Sequence, residues 1–480
     1  MRSLTLRSAI PVLAALDVLA ALVAWALTRS VPASLTVAAL GAIALVGLQT
    51  QRQTRSVHRA LAQARQVEHQ DLTTLRASLL RQEESLRALQ RVAGDAQRAA
   101  KVAPSPGPTL PFAGEPATAQ SVTLVLDTLT SPQLFAGVKT AILAAAHAAT
   151  QTGLPLRIAA MHDPAPSDNN VMESVRTIVR AAGHDGVAGD LLIGYPRSLI
   201  PSPRRDDIII VTFWRTAHHV GELVSAGRID PDRVIYLVQD FEPGFYAWGT
   251  EHALAERTYS RGFRLLVNSA PLARHVQEMT GVEIPADRVF APFVDGEALR
   301  TSADMWRPFD RRRPRVLFYA RPSKPRNLFP LGVDALRDWI THLPEDVSPR
   351  ILVAGEKGAR VSLPERAAVE HLGQVSLPRY HELLSEVDLG LALMFSPHPS
   401  HLPLELPMAG IPTVTNRFGH IRTPWIPGLR VAPTDPRDVA LAIEEARLDA
   451  ATLSRHQWQP LPAELGLPLT DAMAHTLAGL

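Results

Sequence analysis

The chain has 480 residues, of which 46% are hydrophobic and 20% charged, with 40 Pro and no Cys. That length allows two or three domains with full-sized cores, and the lack of cysteine excludes disulfide scaffolds, thiolate zinc sites and cysteine nucleophiles. Lys and Arg number 49 against 47 Asp and Glu, a formal net charge of +2, so no basic excess argues for a nucleic-acid partner.

A mean hydropathy of +0.02 points to an unusually apolar segment, and it lies at the front. Residues 9–27 are apolar apart from Asp17, and residues 31–48 apart from Ser34 and Thr36. Each run approaches the roughly 20 residues needed to cross a hydrocarbon core. Residues 1–50 are therefore expected to form a transmembrane hairpin. Two alternatives are a cleaved signal or single anchor, with Arg2 and Arg7 as its charged start, and a buried soluble hairpin. Arg2 and Arg7 precede the first run, and Arg52, Arg55 and Arg59 follow the second. The positive-inside rule then puts both ends, and everything downstream, on the cytoplasmic side of the membrane. Asp17 is read either as a functional residue within the span or as one facing the second helix or an oligomer partner.

Residues 51–93 contain neither Gly nor Pro, and Leu72, Leu75, Leu79, Gln82, Leu86, Leu89 and Ala93 form a heptad seam. Residues 51–100 thus read as a coiled coil able to make a homodimer or higher oligomer, or as a lone amphipathic helix packed on the next domain. Pro104, Pro106, Pro108, Pro111 and Pro116, with Gly107 and Gly114, make residues 101–119 a semi-rigid linker.

Beyond it, short apolar runs alternate with helical stretches. Strands are expected at 122–126, 156–161, 190–194, 208–212, 234–238 and 264–267, with helices at 135–149 and 171–182 among them. Residues 294–312 look irregular and polar. A second series starts at 315–319 and continues at 350–354, 371–374, 389–393, 413–415 and 430–431, with helices at 331–341, 380–385, 404–409 and 436–446 between. Continuous apolar runs followed by helices indicate parallel strands covered on both faces. The fold class is therefore α/β, with two Rossmann-like doubly wound domains, 120–304 and 305–450, facing across a cleft at the strand carboxyl ends. Residues 451–480 are a tail, helical and packed back on the first domain. No GxGxxG or Walker A pattern occurs, which disfavours ordinary NAD and P-loop chemistry.

The most informative stretch is Ser396-Pro-His-Pro-Ser-His-Leu-Pro-Leu-Glu405-Leu-Pro-Met-Ala-Gly410-Ile-Pro-Thr-Val-Thr-Asn416, in which a strand ends in a Pro-rich loop and a short helix carries Glu405. It resembles the nucleotide-sugar signature of GT-B glycosyltransferases. There the helix carboxylate, an acceptor-only group, takes two hydrogen bonds from a ribose diol; alternatively, Glu405 is a helix-surface residue. The second Glu of the common retaining pattern is absent, Pro397 and Ser400 standing in that region. Phe318-Tyr-Ala-Arg321-Pro-Ser-Lys324-Pro-Arg326-Asn327 follows the first strand of the second domain, where the resemblance implies cations against the donor diphosphate. Arg321 and Arg326 fit by guanidinium geometry and Lys324 less well; the alternative is a solvated basic turn. Gly355 and Glu356 end the following strand, at a tight turn bordering the nucleotide, although Glu356 can also be simple surface.

In the first domain, Thr212-Phe213-Trp214-Arg215-Thr216-Ala217 and Tyr236-Leu237-Val238-Gln239-Asp240-Phe241-Glu242-Pro243 each follow an apolar strand. With the Glu405 loop, these blocks resemble the WsaF family of bacterial rhamnosyltransferases over residues 120–450. Phe135-Ala136-Gly137-Val138 is similar to the family's first helix start, while His218 and His219 depart from its aromatic continuation. The resemblance implies a nucleotide-sugar donor, dTDP-L-rhamnose, no metal cofactor, and a growing surface glycan or lipid-linked oligosaccharide as acceptor. Asp240 and Glu242 are candidates for catalytic base or sugar-hydroxyl contact, or for capping the following helix, and His218 is a lesser base candidate. His398 and His401 are candidates for sugar or phosphate contact, or are solvated loop histidines, and Ser400 is a further candidate on the donor side. Asp230-Pro-Asp232 is formally a DxD but reads as turn chemistry. Two rival functions are a GT-B transferase for a UDP- or GDP-hexose and a non-catalytic scaffold in a glycan-assembly complex.

Overall fold

The computed structural model describes residues 110–130, 137–163, 170–453 and 456–480, all within one compact unit, Pro108–Leu480. The expected membrane hairpin, coiled coil and first nine residues of the linker lie outside the described residues. Among the described residues no helix is long and apolar enough to cross a membrane.

The strands in chain order are β1 (Phe112–Pro116), β2 (Val122–Leu126), β3 (Leu156–Ala160), β4 (Leu192–Gly194), β5 (Ile200–Ser202), β6 (Ile208–Val211), β7 (Val234–Val238), β8 (Arg264–Asn268) and β9 (Val289–Phe290). They continue with β10 (Arg315–Ala320), β11 (Arg350–Gly355), β12 (Ala368–Gly373), β13 (Leu389–Leu391), β14 (Thr413–Asn416) and β15 (Leu429–Ala432). A seven-stranded sheet has the order β4-β3-β2-β6-β7-β8-β9, and a six-stranded sheet the order β12-β11-β10-β13-β14-β15. Every pairing in both is parallel. The strand order reverses between β2 and β6 in the first sheet and between β10 and β13 in the second. Crevices open at those two points, at the carboxyl ends of the strands. This is the expected α/β arrangement of two Rossmann-like doubly wound sheets.

Alternation along each strand explains how both faces are covered. Val122, Leu124 and Leu126 pack under the helices Gly137–Thr152 and Val171–Ala181, while Val125, Val211 and Tyr236 face the other side with Val220 and Val276. The second sheet is covered likewise, by Val333, Leu336 and Ile443 on one face and by Leu383, Leu404 and Leu406 on the other. Each sheet is also pinned at its amino-terminal edge by a buried ion pair. Arg157 donates to Asp207 at 2.7 Å with both side chains nearly inaccessible, and Arg315 holds fully buried Asp388 at 2.5 Å.

Two stretches read as linker or irregular chain hold regular elements, and β5 and β9 are strands that were not expected. The linker reading stops short, because Phe112–Pro116 forms β1 and pairs in parallel with β5. Residues 294–312 are not irregular throughout: Gly296–Met305 is a helix, started by the Asp295 side chain accepting from the Ala298 N–H at 3.0 Å. Its buried positions, Leu299, Ser302 and Ala303, make a stripe too narrow and small to stand out among polar neighbours.

The two halves are joined twice. One crossing precedes the helix Gly296–Met305. The other leaves the helix Pro436–Thr452, passes the helix Leu402–Met408 with Gln459 N–H donating to Met408 C=O at 2.8 Å, and returns to the first half. There Leu467 bridges to β9, and the helix Leu469–Leu477 packs beside Gly137–Thr152 and β8. Arg264 donates to the carbonyls of Thr476 and Ala478 at 2.9 and 2.8 Å, holding that helix's end.

Candidate active site

The segment after β7 carries the first-half groups. Gln239 donates to the Gly137 carbonyl at 2.9 Å, which fixes the start of the helix Gly137–Thr152 beside it. Asp240 follows at the mouth of the cleft. One carboxylate oxygen accepts from Arg326 at 2.6 Å and the other from the Ser396 hydroxyl at 2.6 Å, so a first-half residue is held by two second-half residues. Phe245 completes the contact, its ring lying 4.1 Å beneath the Arg326 guanidinium.

Glu242 plays a different part from Asp240. Its side chain turns away from solvent to the start of the helix Trp214–Ser225, where it accepts from the Trp214 N–H at 2.5 Å and from the Tyr236 hydroxyl at 3.2 Å. Burial pushes its carboxyl up to about 8, against those two hydrogen bonds. It caps a helix, though the preceding one in sequence rather than the following one, and a group so enclosed cannot reach an acceptor hydroxyl. His218 lies on that same helix, among Arg261, Trp214 and His219. Burial, reinforced by Arg261, holds it below the usual imidazole range, and these contacts do not bring it into the Asp240 cluster.

In the second half, three loops meet at the point where the strand order reverses. The loop after β10 holds Arg321, Lys324 and Arg326. Ser323 N–H donates to Glu356 at 3.0 Å, which ties this loop to the end of β11. That hydrogen bond, aided by Arg321 and Lys324, keeps the Glu356 carboxyl low. Arg321 reaches the Tyr319 hydroxyl at 3.4 Å, and Lys324 is exposed. Gly355 adopts φ +135°, and a Cβ there would come within 2.7 Å of the Ala320 carbonyl oxygen. Only glycine lets the two loops approach so closely.

The loop after β13 is built around a residue with no signature in the sequence. Arg422, 5% exposed, donates to the carbonyls of Met394 at 2.8 Å, Ser396 at 2.8 Å and His398 at 3.0 Å. Asn416 accepts from the Met394 N–H at 2.7 Å. The loop's carbonyls are thus drawn onto one buried guanidinium, and Ser400 takes the left-handed φ of +68°, with its N–H donating to His398 Nδ1 at 3.0 Å.

Glu405 sits on the short helix Leu402–Met408, its side chain 17% exposed. It accepts from the Tyr380 hydroxyl at 2.7 Å and faces His401 Nδ1 at 3.5 Å. Burial alone would raise this carboxyl, but the hydrogen bonds from His401 and Tyr380 outweigh it and leave it below its usual range. Glu405 is therefore an ionised acceptor with lone pairs to spare.

The structure joins Asp240, Arg326 and the Ser396–Ser400 loop directly. It places Arg321, Lys324, Gly355 and Glu356 on the adjoining loop pair, and Glu405 at the far end of the 396–405 segment. Ser396, Arg422, Asn416 and Tyr380 were not singled out by sequence. The contacts that tie them into the site reach 22 residues or more along the chain, and no local spacing records those. Asp230 accepts from the Asp232 N–H at 3.1 Å within a tight turn before β7, so the formal DxD is turn geometry.

Two family models match the chain. The one described as the WsaF N-terminal domain covers residues 121–267, and the one described as the WsaF C-terminal domain covers residues 314–444. The chain is 37% identical over 212 residues to the O-antigen biosynthesis protein RfbC of Myxococcus xanthus, a match spanning 44% of this chain and 15% of that protein. Among solved structures, sucrose-phosphate synthase from Thermosynechococcus elongatus is similar at 12% identity and a TM-score of 0.45, over 75% of this chain and 94% of the other. HepE of Anabaena, solved in complex with UDP, is similar at 12% identity and a TM-score of 0.44, over 74% and 94%.

Proposed function

The chain belongs to the WsaF family, and on that premise we propose that it is a glycosyltransferase transferring L-rhamnose from dTDP-L-rhamnose to a growing cell-surface glycan. The observation that carries this reading is the meeting of Asp240 with Arg326 and Ser396, on the segment that ends in ionised Glu405. A nucleoside diphosphate sugar lying along that segment has its ribose hydroxyls on Glu405 and its phosphates at Arg326 and Arg321. Its reacting carbon then faces Asp240.

In this reading the acceptor hydroxyl oxygen bonds to the anomeric carbon as the bond to the phosphate oxygen breaks. The electron pair leaves with the diphosphate, where the guanidinium groups stabilise the charge that develops. Asp240 takes the hydroxyl proton. Residues 1–50 anchor the enzyme at the cytoplasmic face of the membrane. A lipid-linked acceptor is confined to that surface, and anchoring raises its effective concentration.

The test uses the full chain in native membranes, supplied separately with dTDP-L-rhamnose, UDP-glucose and GDP-mannose, with glycolipid masses read out. The expected result is a gain of one deoxyhexose with dTDP-L-rhamnose alone. Transfer from a UDP or GDP sugar instead would overturn the donor assignment. No transfer from any donor, with glycan assembly in cells unharmed by Asp240→Asn, would establish the scaffold role.

A further inference from the structure

We propose that the Asp240 carboxylate is a built-in substitute for the donor's phosphate, seated against Arg326 and Ser396 and expelled when a nucleoside diphosphate binds. This rests on the reading above that the second half takes such a donor, and adds how the two halves exchange partners when it arrives.

The seat belongs to the second half, and its occupant to the first. Arg326 and the Ser396 hydroxyl each donate to one oxygen of Asp240 at 2.6 Å, across 86 and 156 residues of sequence. Two charge-assisted contacts from a guanidinium and a hydroxyl are what a phosphate oxygen pair would receive there. Behind Ser396 stands Arg422, whose terminal nitrogens donate to carbonyls and to the Thr415 hydroxyl, whose Nε is buried without a partner, and which has no ion pair with a carboxylate among the described residues. Of the nearby charges, Asp240 is the one that favours its protonated form.

His398 adds to the imbalance. Its Nδ1 accepts from Ser400 N–H, so the proton of the neutral ring is on Nε2. That atom is buried without a partner. Burial, with His401, Arg422 and Arg326 nearby, holds the ring neutral. The surroundings of Ser396 are therefore rich in donors and positive charge, and among the described residues their direct anionic partner is the one carboxylate reaching in from the opposite half.

The consequence is a coupled event. While Asp240 fills the seat, the phosphate position is closed and the carboxylate is tied up by Arg326. A diphosphate that enters takes over Arg326 and Ser396, and the released carboxylate becomes free to accept an acceptor's proton. The base is unmasked only when the donor is in place.

A competing internal anion lowers apparent affinity by the fraction of molecules in which it occupies the seat. Asp240→Asn keeps the shape and removes the charge, and Asp240→Ala removes the group. Calorimetric titration of the full chain in detergent, with dTDP, UDP and inorganic pyrophosphate, compares these variants with the wild type. The expected result is binding of at least one probe about tenfold tighter or more in both variants, although transfer is lost. Affinity equal to or weaker than wild type in Asp240→Asn overturns the substitute role while leaving nucleotide binding by the wild type intact. Binding by the variants alone supports it. No binding by any form defeats both this inference and the donor reading beneath it.

Discussion

Two carboxylates near the cleft, Glu242 and Glu405, sit in different environments and so respond to different measurements. Glu242 is buried at a helix start, and its proton stays bound up to about pH 8 in the folded chain, against an ordinary value of 4.5. Its contribution to stability is therefore complete below about pH 4.5, falls as pH rises toward 8, and is gone above that. Glu242→Gln keeps the acceptor for Trp214 N–H and removes the titration. Urea denaturation at about pH 5 and about pH 9 should show wild type losing stability over that interval, on the order of a few kcal/mol, and the variant losing much less. Glu405, by contrast, is ionised and hydrogen-bonded. Glu405→Gln still accepts from Tyr380 but weakens a charge-assisted contact to a ribose diol, so nucleotide affinity should drop about tenfold or more with the melting temperature nearly unchanged. An equal fall in both would assign Glu405 to structure alone. Arg422→Met leaves the Met394, Ser396 and His398 carbonyls without their donor, at a cost of about 2–4 kcal/mol. Lys in its place restores the charge but not the several directed N–H groups, and equal stability of the Met and Lys variants would contradict this account.

At the scale of elements, the glycine at the end of β11 and the ion pair at the start of β10 set how the second half holds its loops. Gly355→Ala would press a methyl against the Ala320 carbonyl at a φ of +135°. It should cost more than about 1 kcal/mol, seen as a lower denaturation midpoint. Asp388 accepts from Arg315 and from the Trp306 indole, and Asp388→Ala strands both donors. A loss of about 3–5 kcal/mol follows, and a change below about 1 kcal/mol would show that the pair is solvated after relaxation.

Elements also show where sequence patterns carry information. Strands β2, β3, β6 and β7 are runs buried at nearly every position, so apolar content alone exposes them. The helix Gly296–Met305 was hidden because it buries only a narrow stripe of small residues. Asp240 and Arg326 could each be picked out by standing after a strand, but their contact could not. It depends on two sheets facing each other, a relation that no local spacing encodes. Arg422 is the extreme case, a lone arginine in a loop whose role comes entirely from carbonyls drawn in around it.

For the whole molecule, the decisive feature is the returning segment. The helix Leu469–Leu477 buries Ala472 and Met473 in the core of the first half. Gly466 passes so close to β9 that a Cβ there would lie 2.5 Å from the Phe290 carbonyl carbon. A chain ended after residue 461 should lose the first half's cooperative unfolding and expose it to proteolysis, while the second half keeps its own transition. Retention of both transitions would make the helix an accessory.

The same path sets an order of assembly during synthesis. The strands of the first half leave the ribosome early, yet the helix that closes their sheet is made only after the whole second half has been translated. Until then a strip of the first core stands uncovered, which is a hazard for aggregation and a binding site for chaperones. The half that carries Asp240 is begun first and finished second.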